Sequence, residues 1–142
     1  MWIGTDGQGL IQLYHYDSLF ETVHTSHPVR CFCEDEDGNI LIGTKGSGIK
    51  LLNPETKELA DYLNESKGLI SNSVYALKRN KANDIFIGTE GTGINILNAA
   101  TGRLEKLEIP DKYPPFKAVY NIYFTNNDSL LWIGTSGYGL IK

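Results

Sequence analysis

Apolar residues along this chain fall into short β-forming runs, from Val29 to Glu34, Ser73 to Lys78 and Ala118 to Phe124. Each run leads through a polar turn, at Asp37-Gly38-Asn39, Ala82-Asn83 and Asn126-Asn127-Asp128, into a second apolar run. Runs of this composition separated by such turns predict antiparallel hairpins. The second runs, such as Ile40-Leu41-Ile42 and Ile85-Phe86-Ile87, are apolar on both faces. That pattern predicts sheets covered on both sides, since a sheet with one wet face would alternate.

The second runs end in a recurring motif. Trp2-Ile3-Gly4-Thr5-Asp6-Gly7-Gln8-Gly9-Leu10-Ile11 returns as Leu41 to Lys50, Phe86 to Asn95 and Trp132 to Ile141, and its first glycine falls at 4, 43, 88 and 134. Val29, Val74 and Val119 recur in step, each followed three residues later by Phe32, Leu77 or Ile122. Each copy predicts a strand ending in Gly-Thr, a tight Gly-x-Gly turn that needs positive φ, and another strand. A further turn, as at Asn53-Pro54-Glu55-Thr56 or Ala100-Thr101-Gly102, leads to a last strand, read as Phe20 to His24, Leu59 to Leu63 and Arg103 to Leu107.

With the four strands of a repeat called A to D, the chain reads B to D, A to D twice, then A to C, fourteen strands with no helix. The spacing is that of β-propeller blades. The expected fold class is therefore all-β, a partial β-propeller of about three four-stranded antiparallel blades. The expected divisions are 1–28 (incomplete first blade), 29–72, 73–117 and 118–142 (incomplete last blade). Because the chain starts and stops inside a repeat, it reads as a fragment of a larger propeller, and uncovered faces predict self-association.

Composition narrows the function classes. The 142 residues are 41% hydrophobic and 21% charged, with a net charge of −4. The 13 Lys and Arg are scattered, which argues against a nucleic-acid partner. No apolar run is long enough to cross a bilayer and no leader pattern opens the chain, so direct membrane contact is not expected. Cys31 and Cys33 share one strand face at a spacing unsuited to bridging and read as buried thiols.

The segments Val29-Arg30-Cys31-Phe32-Cys33-Glu34-Asp35-Glu36-Asp37-Gly38-Asn39-Ile40-Leu41-Ile42-Gly43-Thr44 and Leu69-Ile70-Ser71-Asn72-Ser73-Val74-Tyr75-Ala76-Leu77 resemble the two-component regulator propeller repeat. Leu41 and Phe86 stand where that repeat usually has Trp, and Asn80-Lys81-Ala82-Asn83 replaces its acidic, glycine-bearing turn. The resemblance implies the periplasmic sensor region of a hybrid two-component system histidine kinase, often responsive to glycan fragments of polysaccharides. It implies signal transduction, with an oligosaccharide ligand and the remaining blades of the parent propeller as partners. A protein-interaction scaffold is the alternative.

Candidate chemistry is sparse. His24-x-x-His27 ahead of Cys31-x-Cys33 offers zinc-type ligands, but the cysteines lie on an inner strand rather than on turns, so no metal site is expected. With Gly38 set as the sixth residue of a calcium loop, Cys33 and Thr44 fall at the first and twelfth positions, where carboxylates are required, so the run Glu34 to Asn39 reads as a hairpin turn. The glycine clusters are followed by no Lys-Ser or Lys-Thr, and His15, His24 and His27 have no recurring nucleophile partner, so neither cofactor nor enzymatic activity is expected. Ligand contact is expected where D-to-A and B-to-C connections emerge. There the candidates are Lys112 and Tyr113 beside Pro114 and Pro115, His24, His27, and the variable turn residues Lys45, Glu90 and Tyr138. Asp6, Gln8, Ser47, Thr92 and Ser136 complete the turn set. A proline-stiffened linker is the plainer reading of Tyr113.

Overall fold

The computed structural model describes residues 2–6, 9–13, 20–91, 93–107, 109–110, 112–113, 116–125 and 127–142. Fourteen strands are found among them, in four antiparallel sheets. Sheet 1 holds β1 (Trp2–Thr5), β2 (Gly9–Leu13) and β3 (Phe20–Val23). Sheet 2 holds β4 (Val29–Glu34), β5 (Ile40–Thr44), β6 (Ile49–Leu52) and β7 (Leu59–Leu63). Sheet 3 holds β8 (Val74–Arg79), β9 (Ile85–Thr89), β10 (Ile94–Leu97) and β11 (Leu104–Leu107). Sheet 4 holds β12 (Val119–Thr125), β13 (Leu130–Thr135) and β14 (Gly139–Ile141). Each is a simple meander with strands in chain order.

The sheets stack face to face. β1 lies against β4, β4 against β8, and β8 against β12, so the first strand of each four-stranded repeat is the inner one. Three apolar layers fill the gaps. Leu10, Val29, Ile40, Ile42 and Leu52 join sheets 1 and 2. Leu41, Ile49, Val74, Leu77, Ile85 and Ile87 join sheets 2 and 3. Ala76, Ile94, Phe116, Val119, Ile122, Ile133 and Ile141 join sheets 3 and 4. Every residue of β5 is buried, as a strand between two neighbours requires. This is part of a β-propeller.

Turn chemistry repeats as well. The Thr hydroxyl that ends strand B donates to a glycine carbonyl four residues on, from Thr5 to Gly9 at 2.7 Å, Thr44 to Gly48 at 2.9 Å and Thr135 to Gly139 at 3.0 Å. Asp35 closes its own hairpin by accepting from the Asp37 and Asn39 amides at 2.9 and 2.8 Å. In the divergent third repeat Asn83 takes φ 69°, the place Gly38 fills at φ 83°, because asparagine tolerates the left-handed region.

One departure from the all-strand expectation is a short 3-10 turn at Glu65–Lys67, closed by Gly68 at φ 100°. It lies in the connection from β7 to β8. None of the helices among the described residues is long and apolar enough to cross a membrane.

Candidate functional site

The inner strands share a defect that shapes their rim. Val29 pairs with Thr44 and Cys31 with Gly43, leaving Arg30 as an extra residue; Val74/Ala76 and Val119/Asn121 repeat this register shift around Tyr75 and Tyr120. In an unbroken strand, residues two apart share a face. Here Val29 packs on Gly4 of the preceding sheet, while the Cys31 thiol reaches the Val74 carbonyl of the following one at 3.9 Å. The bulge re-aims the residue between them.

The re-aimed side chains meet across the blades. The Arg30 guanidinium lies 5.5 Å from the Tyr75 ring centroid. Tyr75 and Tyr120 pack edge to face, with centroids 5.0 Å apart and planes at 85°. The sequence pattern marks the valines just before these three residues but not the residues themselves. The signal was a long side chain directly after each recurring valine.

The B-to-C turns and D-to-A connections do gather on the same end as these bulges. The Lys45 amide donates to the Pro28 carbonyl at 3.0 Å, and the Gly46 and Gly48 amides both donate to the Asn72 carbonyl in the connection from β7 to β8. The Glu90 amide donates to the Ser73 carbonyl and the Gly91 amide to that of Lys117. Gly46, Ser47, Asn64, Glu65, Ser66 and Asn72 line an open polar depression there. In the same connection from β7 to β8, the Ile70 amide donates to the side-chain oxygen of Asn95 at 2.9 Å and the Gly68 carbonyl accepts from its amide; Asn95, in β10, is only 2% exposed. Lys50, at the matching place in β6, is buried along its stem and reaches Asp61.

The expected ligand residues do not converge on one cavity. His27 bonds Ser26 at 3.0 Å and borders the turn at Gly46, close to Lys45 in the chain of contacts. His24 is exposed and borders a separate depression with Glu21, Lys57 and Leu59. Lys112 sits 5.0 Å over the Tyr113 ring, beside a groove of about 310 Å³ lined also by Leu107, Ile109, Leu131 and Ile141. Tyr113 is half-buried and packs on the layer between sheets 3 and 4, with its hydroxyl 3.5 Å from the Lys142 carbonyl. Lys45, Glu90 and Tyr138 are exposed. His15, Gln8, Thr92, Pro114 and Pro115 lie outside the described residues.

Both thiols are free. Burial pushes the Cys31 thiol up to about 12 and also raises that of Cys33. Among the described residues no group of three or more His, Cys, Asp or Glu is placed to hold a metal ion.

Meandering sheets of three or four strands, stacked through their inner strands and carrying the B-to-C turns on one rim, define part of a β-propeller. Residues 25–46, comprising the end of the first connection, β4, β5 and the turn after them, match the family model described as two component regulator propeller. Over 98% of its length the chain is similar to the extracellular domain of BT3049 of B. thetaiotaomicron, named a hybrid two component system, at 30% identity and a TM-score of 0.72. It is similar in fold to the extracellular domain of BT4673 of the same organism, at 24% identity and a TM-score of 0.75 over 98% of the chain. A structure of YCF48 bound to D1 peptide matches 95% of the chain and 43% of its own at 14% identity and a TM-score of 0.71, a likeness of fold alone. The chain spans 18% and 19% of the two extracellular domains. No curated protein matches it in sequence.

Proposed function

We propose that this chain is part of the extracytoplasmic, periplasmic sensor propeller of a hybrid two-component system, in which glycan fragments shift blade packing and so bias a histidine kinase farther along the parent. The observation that carries this reading is the 30% identity to the BT3049 extracellular domain along nearly the whole chain. The match of residues 25–46 to the regulator propeller model supports it. Physically, a stiff stack of sheets whose rim turns vary suits recognition, because ligand contact there bears on more than one blade.

Titration calorimetry of the sensor region that contains these blades, against a panel of neutral and acidic oligosaccharides, tests the reading. Saturable binding of at least one is expected. Heats no larger than dilution across the panel would remove glycan sensing. The second reading is a peptide-binding scaffold, favoured by the exposed tyrosines 120, 123 and 138 and by the peptide held in the YCF48 structure. Binding of peptides but no sugars in the same assay would select it.

A further inference from the structure

Arg30, Tyr75 and Tyr120 hold one position in three consecutive repeats and form a continuous row across sheets 2, 3 and 4. Arg30 and Tyr120 are exposed, Tyr120 by 53%, and Tyr75 is half-buried. Among the described residues none of the three polar ends has a hydrogen bond or ion pair. Close packing does not explain a row of this kind, because its outer members face water.

The geometry leaves specific groups on offer. The Arg30 guanidinium lies over the Tyr75 ring and has no hydrogen bond or ion pair among the described residues, so its N–H groups remain available as a fork matched to a carboxylate. The tyrosines offer ring surface for stacking and hydroxyls for polar contact. Charge along the rim alternates in sign. Lys45 lies in the turn tied to Pro28, beside Arg30, whereas Glu90 occupies the corresponding turn tied to Ser73, beside Tyr75. The row thus has Lys45 and Arg30 at one end, Glu90 one blade on, and the exposed Lys117 close to Tyr120 in the chain, so the unpaired fork of Arg30 is what sets the place of an acid group.

We propose that the Arg30–Tyr75–Tyr120 row binds a saccharide bearing a carboxylate, with the acid group on Arg30 and the sugar ring against the tyrosines. This rests on the glycan-sensing reading above and adds the charge class and the place of contact.

The test titrates this chain with α-1,4-digalacturonic acid and with the neutral α-1,4-digalactose, following backbone amides by NMR. The acidic sugar is expected to bind about tenfold more tightly, the scale of one charge-assisted forked contact. Its amide shifts should centre on residues 29–31, 74–76 and 119–121. R30Q should abolish the preference and leave affinity for the neutral sugar within about twofold, while Y120A should weaken both sugars about tenfold. Both variants should keep the thermal midpoint within about 3 °C, since their side chains are exposed. Equal affinity for the two sugars, a preference that survives R30Q, or shifts centred on Lys112 and Tyr113 would overturn the inference while leaving glycan sensing intact. No binding of either sugar would also overturn it, and the wider oligosaccharide panel then decides whether glycan sensing falls with it.

Discussion

Val74, the first residue of the inner strand of sheet 3, seats directly on Gly43 of sheet 2: a Cβ placed on that glycine would stand 2.8 Å from Val74 Cγ1, and nearer still to the Cys31 thiol of its own sheet. The same seat occurs between Gly4 and Val29 at 2.9 Å and between Gly88 and Val119 at 2.7 Å. The glycine of the Gly-Thr motif is thus a steric requirement of blade stacking, separate from the positive-φ glycines of the following turn. A fourth glycine, Gly134, meets only Asn121 of its own sheet, at 3.3 Å.

This asymmetry gives a paired prediction. Gly88→Ala, where an added Cβ meets only Val119 of the next sheet, is expected to destabilise the chain by about 2 kcal/mol, the usual scale of overpacking. Gly134→Ala should change stability by less than about 0.5 kcal/mol. Urea denaturation of the two variants beside the parent chain checks both, and equal losses would mean that the seat is not what limits the residue.

The buried thiol predicts a pH response. Cys31 titrates near 12 in the folded chain against an ordinary value of 9.0, so the unfolded chain loses its proton first. The stabilising effect is complete below pH 9 and declines as pH rises from 9 to 12, by up to about 1.4 kcal/mol per pH unit for one thiol. Cys33 is raised in the same direction. Denaturation midpoints from pH 7 to 11 should fall above 9, and Cys31→Ser should flatten that fall. Iodoacetamide at pH 8.5 should alkylate Cys33 ahead of Cys31, as read by peptide mass spectrometry.

Asn95 ties the connection from β7 to β8 down to β10 through two hydrogen bonds. Asn95→Ala leaves the Ile70 amide and the Gly68 carbonyl without those partners and is expected to cost about 2 kcal/mol. Hydrogen exchange should quicken at Ile70 more than at Ile85 or Ile87 in the centre of sheet 3. Uniform quickening would assign the loss to general destabilisation instead.

The outward face of sheet 4 carries Tyr123 and Leu140, 58% and 64% exposed, around an apolar depression shared with Trp132 and Gly134. Self-association of this chain through that face is the expected result. Sedimentation velocity should show mass rising with concentration, and the double change Tyr123→Lys with Leu140→Lys should suppress it. A monomer at every concentration would refute it.

Strand order and turn chemistry could be read in the sequence because each carries a residue signature: apolar runs on both faces, Gly-Thr ends, and glycines at recurring intervals. The 45-residue step from Val29 to Val74 to Val119 even located the inner strands. The bulge left no such mark, since an extra residue in one strand changes pairing without changing the interval between repeats. Arg30, Tyr75 and Tyr120 were therefore hidden, as their direction depends on the register of the partner strand. Asn95 and Lys50 were missed for a related reason: a polar residue in an apolar strand does not announce which distant group it satisfies. Tyr113 reads in the sequence as a loop residue, and its packing on the neighbouring layer arises only when two sheets come together.

The bulge also separates two kinds of evolutionary constraint. The valine before it is locked to a glycine across the interface, and the residue after it is packed inward or paired within its sheet, but the one between meets its counterparts in the neighbouring repeats. Exchanging that single amino acid in successive repeats would rewrite the rim's chemistry one blade at a time while the stacking beneath stays untouched, so diversification costs little foldability.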